Sequence, residues 1–273
     1  MKFKKIGFLF AASALALSLA ACGDDKESST EALNDGKLVV GVTAGLHEDL
    51  ANLAKEAAAK DGLEVEVKVF SDYVLPNTSL VEGDLDANSF QTQPFLDAFN
   101  EDRGENLVSV ADTILNPMGI YSEKYTSLAD IPSGASFALP NDATNGGRAL
   151  VVLESAGLIK LKEGVGINGS IYDVEENPKN LQFVELEAAQ LPKQLPEVDF
   201  AAINTNFALE AGLHPKKDSI YLEDANSPYV NKIVVREGEE ESEDLQKFLK
   251  AYQTDEVRDY ILEEYDGAVI PGF

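Results

Sequence analysis

The chain has 273 residues, 44% hydrophobic and 26% charged, enough to bury one large core or two smaller ones. Its 22 Lys and Arg stand against 48 Asp and Glu, a net charge of −26. Such a surface repels polyanions, which excludes nucleic acid and a peripheral grip on anionic lipid.

At the N-terminus, Lys2, Lys4 and Lys5 precede an apolar run over 6–19, and Leu19-Ala20-Ala21-Cys22 holds the only cysteine. Residues 1–21 have the form of a secretory leader, too short and wrongly flanked for a spanning helix. The segment resembles the bacterial lipobox, which implies cleavage ahead of Cys22 and an acyl (palmitate-type) anchor on it. The expected place is the extracytoplasmic face of the cell membrane, with residues 22–36, polar and Ser-rich, as a flexible tether.

The spacing predicts a buried strand at 38–42, an amphipathic helix at 46–60 and an alternating strand at 63–70. This β-α-β opening predicts a parallel α/β sheet whose ligands lie beyond the carboxyl ends of its strands. The turn at 43–45 sits at such an end, but it carries neither the three-glycine dinucleotide pattern nor a phosphate-loop lysine. Helices at 71–82 and 91–100 flank a short strand at 84–90. The strand at 107–115 is interrupted by Asn116-Pro117-Met118-Gly119 before extended structure resumes at 120–122, which predicts a crossing between lobes. A second lobe follows, with strands at 135–140, 181–186, 198–204 and 219–222. Its helices fall at 145–158, at 188–195 (broken by Pro192) and at 207–212. The strand at 232–236 returns the chain to the first lobe, against which the amphipathic stretch 241–265 packs. The predicted fold is an α/β two-lobed clamshell of the periplasmic-binding-protein kind (type II) with two crossover segments. Lobe 1 is 37–120 with 231–273, and lobe 2 is 121–230. Small ligands bind between such lobes, and closure is a hinge motion.

The stretch Asn141-Asp142-Ala143-Thr144-Asn145-Gly146-Gly147-Arg148 joins a strand to a helix. The free N–H groups and dipole of a helix start suit an anion, and the Arg148 fork can grip a carboxylate. The same residues also read as an ordinary loop followed by a solvated arginine. His47 and His214 are the only histidines, each beside a turn, and read as surface residues without metal spacing. No cofactor is expected. No G-x-S-x-G elbow is present and Cys22 belongs to the anchor, so the chain is not expected to be an enzyme. The acidic run at 237–244 reads as a solvated loop and helix start.

Several blocks resemble the MetQ/NlpA family, the methionine-binding lipoproteins of ABC importers. They are Tyr73, Asp86-Ala87-Asn88-Ser89-Phe90-Gln91, Asn116 through Ser122, 141–150, 176–181, 187–192 and Ser227-Pro228-Tyr229-Val230-Asn231, in the family's order from about residue 37 onward. The resemblance implies a cleft for an amino acid. Arg148 matches the arginine that binds the ligand carboxylate. Asn206 and Asn231 match asparagines at the polar end of the ligand, with Asn204 a rival for the first and Asn145 a further candidate. Tyr73 and Phe90 match the aromatic residues around the thioether, a group whose sulfur packs well on ring edges. Relatives commonly carry an aromatic residue at Ser89 and a histidine at Thr92, so both positions are expected to reshape the pocket wall. The expected function is a monomeric substrate-binding lipoprotein that delivers L-methionine, or a close relative, to an ABC permease with a separate ATPase subunit. The competing readings are a binder of another amino acid or a methionine-containing dipeptide, a surface-anchored enzyme on an amino-acid derivative, and an adhesion lipoprotein.

Overall fold

The computed structural model describes residues 34–224 and 227–273. The expected leader, Cys22 and most of the tether lie outside them. The last tether residues are held in place: Asn34 Oδ1 accepts the Glu243 N–H at 2.7 Å, and the Gly36 N–H donates to Asp244 Oδ2 at 2.7 Å.

Strand β1 (Lys37–Thr43) fully buries Leu38, Val40 and Val42. Gly45, at φ +72°, turns the chain into α1 (Leu46–Lys60), a conformation that strains any side chain. Strand β2 (Glu64–Phe70) lies parallel to β1, from Lys37 opposite Glu64 to Thr43 opposite Phe70. Helix α2 (Leu75–Glu82) leads to β3 (Ala87–Thr92), parallel to β1 on its other side, and α3 (Gln93–Arg103) leads to β4 (Leu107–Leu115).

The chain then enters a second sheet at β5 (Gly119–Tyr121), followed by β6 (Ser136–Pro140), α4 (Ala143–Ser155) and a small hairpin of β7 (Lys160–Leu161) and β8 (Val174–Glu176). Next come β9 (Gln182–Leu186), α5 (Leu191–Gln194), β10 (Phe200–Ile203), α6 (Thr205–Glu210), α7 (Pro215–Asp218) and β11 (Tyr221–Leu222). The order in this sheet is β11-β5-β10-β6-β9. The chain returns through β12 (Val230–Arg236), α8 (Glu243–Tyr252), α9 (Asp255–Glu264) and β13 (Ile270–Pro271), which complete a first sheet ordered β13-β4-β12-β3-β1-β2.

Both sheets are mixed, where the opening motif predicts a parallel one. Strand β12 runs antiparallel to β3 and to β4, because it arrives from the other sheet and not through a helical crossover. Helix α4 starts earlier than its apolar pattern suggests, at a cap formed by Asp142, whose carboxylate accepts the Asn145 N–H at 2.9 Å. Its glycines serve contact: a Cβ on Gly147 would lie 1.9 Å from the Ile167 carbonyl oxygen. Pro192 does not break a helix but sits in the first turn of α5, where its missing N–H costs nothing. The stretch 241–265 divides into α8 and α9 at Thr254, whose hydroxyl accepts the Val257 N–H.

Apolar side chains cover both faces of each sheet. On the first, Leu38, Val40, Phe248 and Ile261 pack on one face and Leu80, Leu85, Leu96 and Val234 on the other. The second packs Phe137, Leu153 and Phe200 on one face and Leu191, Ile203 and Ala208 on the other. Double coverage explains why so many strands read as continuous apolar runs. The two connections between sheets lie side by side: the Glu223 N–H donates to Met118 O at 2.9 Å, and its carboxylate accepts the Met118 N–H at 2.9 Å.

Candidate functional site

A cavity lies where the two sheets meet, lined by residues that follow β1, β2, β4, β6 and β10, by the end of β3 and the start of α3, and by the start of β12. Carboxyl ends of strands from both sheets converge here, so polar loop residues meet in one place.

Arg148, on α4, is 3% exposed. Its Nε donates to Glu223 Oε1 and Oε2 at 3.2 and 3.1 Å, and its Nη2 donates to Asn116 O at 2.8 Å and pairs with Glu223. The Tyr229 ring lies 4.2 Å from the guanidinium carbon. Arg148 is therefore neither solvated nor free-standing. One carboxylate balances it, and it bonds to groups on both connections between the sheets. The anion site expected at the start of α4 is taken by the Asp142 carboxylate, which also accepts from the Asn145 side chain at 3.0 Å.

The cavity also gathers the asparagines. Asn204 Nδ2 donates to Asn145 Oδ1 at 2.8 Å, and Asn206 Oδ1 accepts the Tyr73 hydroxyl at 2.6 Å. Burial, reinforced by the nearby Asp142 charge, pushes the Tyr73 phenol well above its ordinary pKa, so it remains a donor. Asn231 Oδ1 accepts from Asn116 Nδ2 at 2.8 Å and faces His47 Nε2 at 3.2 Å. Three cavity atoms are buried without a hydrogen-bond partner in the protein: Asn116 Oδ1, Asn204 Oδ1 and Asn206 Nδ2. Each such atom costs roughly 1–3 kcal/mol, so three around one cavity mark it as a receptor for polar groups.

The apolar end is a cluster of rings. Tyr73 lies 5.8 Å from Phe90, 6.0 Å from Phe95 and 4.8 Å from Phe207, centroid to centroid, and Phe90 lies 5.9 Å from Phe95. Thr92 lines the same cavity. Ser89 does not. It is fully buried on the opposite side of β3, toward Tyr252 and Thr113, because alternation along the strand turns Phe90 to the cavity and Ser89 under α8. Its expected role in the pocket wall is corrected accordingly. Elsewhere in that block, Asn88 and Gln91 bond with Asn77 in a buried amide cluster, Gln91 also lining the cavity, and Asp86 accepts the Val39 N–H.

His47 overturns its expectation as a surface residue. It is 1% exposed, lines the cavity, and bonds Thr43 Oγ1 through Nδ1 at 2.7 Å. Burial lowers its pKa to about 4, against the opposing pull of the Asn231 hydrogen bond, so the ring is neutral at pH 7. The Thr43–His47–Asn231 line has the residue types of a hydrolase triad, yet Thr43 is fully buried and outside the cavity lining, so its hydroxyl reaches no substrate. His214 lies outside the cavity, and among the described residues no group of His, Cys, Asp and Glu has the makings of a metal site. Sequence reasoning missed His47, Asn116, Phe95 and Glu223. The available signal was position: Asn116 opens a block shared with known proteins, and His47 follows the carboxyl end of a parallel strand.

The NlpA lipoprotein family profile matches residues 38–273. The D-methionine-binding lipoprotein MetQ of Yersinia pestis is 45% identical over 278 residues, covering 100% of this chain and 99% of the relative. A nutrient-binding protein from Burkholderia cenocepacia, solved bound to methionine, is 46% identical with a TM-score of 0.85, covering 86% of this chain and 100% of that one. An ABC-transporter periplasmic substrate-binding protein from Coxiella burnetii is 42% identical with a TM-score of 0.83, over 86% and 100% of the two chains.

Proposed function

Because the chain belongs to the NlpA lipoprotein family, we propose that it is an extracytoplasmic substrate-binding lipoprotein of an ABC importer, taking up methionine between its lobes. The observation that carries this reading is the set of unpartnered buried atoms around the cavity. Asn116 Oδ1 and Asn204 Oδ1 are acceptors suited to an ammonium, and Asn206 Nδ2, Asn231 and Arg148 are donors suited to a carboxylate. Glu223 balances Arg148, and the remaining lining groups are neutral, so the cavity suits a zwitterion better than a net anion or cation. Tyr73, Phe90 and Phe95 enclose the thioether, and Thr92 completes the wall.

The protein is a binding protein and not an enzyme. It works as a monomer held to the membrane by an acyl chain on Cys22 and hands its ligand to a permease whose ATPase is a separate chain. Its lobes follow the two sheets, joined at residues 116–118 on one connection and at Glu223 on the other. Calorimetry with L-methionine, D-methionine, a methionyl dipeptide and methionine analogues lacking either the amino or the carboxylate group tests the reading. One-to-one binding of methionine, with both analogues weakened at least about tenfold by the loss of a charged hydrogen bond, is the expected result. Tighter binding of the dipeptide, or equal binding of the analogues, would overturn it.

A further inference from the structure

Asn231 can present either end of its carboxamide to a ligand, and its neighbours make that choice. Its Oδ1 lies 2.8 Å from Asn116 Nδ2 and 3.2 Å from His47 Nε2. A carbonyl oxygen only accepts, so His47 Nε2 carries the proton in this arrangement. A neutral imidazole has one N–H, which leaves Nδ1 bare, and the Thr43 hydroxyl 2.7 Å away is then the donor. Asn116 Nδ2 also lies 3.5 Å from His47 Nε2, but its 2.8 Å bond to Asn231 Oδ1 is the shorter, so hydrogen bonds run one way, from Thr43 to His47 to Asn231, with Asn116 as a second donor to the same oxygen. Both donors hold Oδ1, and the amide nitrogen is the end directed at the guest.

A mirror arrangement is also self-consistent. With both amides rotated, Asn231 Nδ2 would donate to Asn116 Oδ1 and to a bare His47 Nε2, while His47 Nδ1–H would donate to Thr43. The cavity would then meet Asn231 as an acceptor, which repels a carboxylate. The two arrangements differ in which ring nitrogen of His47 holds the proton. All four residues are at most 7% exposed, so bulk water does not arbitrate. A neutral ring is also what burial enforces, and only a neutral ring has a tautomer to choose.

We propose that His47 is a positioning residue: as the Nε2–H tautomer, held by Thr43, it locks the Asn231 amide nitrogen toward the ligand carboxylate. The proposal rests on the cavity being an amino-acid site and adds a residue that sets which end of the amino acid β12 reads.

Two measurements test it. Long-range ¹H–¹⁵N correlation spectra of the ligand-free protein read the tautomer directly; an Nε2–H ring is expected, and an Nδ1–H ring overturns the proposal. Binding of methionine and of its decarboxylated amine, measured by competition, is then compared in wild type, His47→Gln and His47→Leu. Glutamine keeps an N–H near the Nε2 position and should retain methionine affinity within about threefold, whereas leucine should lose about tenfold or more. The leucine variant should lose clearly less affinity for the amine than for methionine, since the amine has no carboxylate for Asn231 to read. Equal weakening of both ligands, or no weakening of methionine, would show a merely structural histidine and overturn the proposal. If wild type ignores methionine, the function reading fails, and the tautomer spectrum still decides the role of His47.

Discussion

Replacing Arg148 by alanine removes two things at once, and the structure separates them. The side chains of Arg148 and Glu223 are 4% and 11% exposed. Deleting the cation alone strands a buried carboxylate, a change that costs about 3–5 kcal/mol. In a chain of this size each kcal/mol moves the melting point by roughly 2–4 °C, so Arg148→Ala should melt about 10 °C below wild type. Loss of the ligand's charged partner should separately weaken methionine by about 10- to 100-fold, from roughly 1.5–3 kcal/mol per charge-assisted bond. The double variant Arg148→Met/Glu223→Gln dissects the two effects. It leaves no stranded charge, and the glutamine carbonyl oxygen can still accept the Met118 N–H, so most of the stability should return while affinity stays low. Thermal melts by circular dichroism and calorimetry on the same samples read both quantities. Wild-type affinity in the double variant would refute Arg148 as the carboxylate anchor. A single variant that melts within about 2 °C of wild type would refute the account of the buried pair.

Ser89→Tyr should leave methionine affinity unchanged and lower stability by about 1–3 kcal/mol, because the ring is forced under α8 beside Tyr252. Thr92→His changes a residue that does line the cavity and should tighten methionine by about three- to tenfold, near 1 kcal/mol of added contact, without a shift in melting. Unequal outcomes in the opposite sense would reverse the two assignments. The pH dependence of stability follows from His47, whose pKa falls from the ordinary 6.5 to about 4 on folding. Below about pH 6.5 the unfolded chain takes up a proton that the folded chain refuses, so stability drops as pH falls toward 4 and levels off beyond. The loss from this one group is about 3 kcal/mol. Urea denaturation of wild type and His47→Gln at a series of pH values checks it; identical profiles would rule out the assignment.

The periodicities of the chain alone were enough for most of the architecture. The 38–42 run, the amphipathic spacing of 46–60 and the proline and glycine at 117 and 119 are local signals, and they describe two α/β units joined by extended connections. Arg148 was legible too, because a guanidinium beside a strand-to-helix turn is a local pattern. What the local pattern left open was partnership. Arg148, Asn116 and Glu223 are brought together only because the two connections lie side by side, tied by Glu223 and Met118. His47 opens a helix next to a turn, an ordinary surface position until β12 comes back from the other sheet and sets Asn231 against its ring. Ser89 and Phe90 illustrate the same limit within one strand. Both faces of β3 are buried, so alternation shows that the two residues point in opposite directions but not which direction holds the ligand. Only the packing of α8 on one face, and of the second sheet's loops beyond the strand end, decides that.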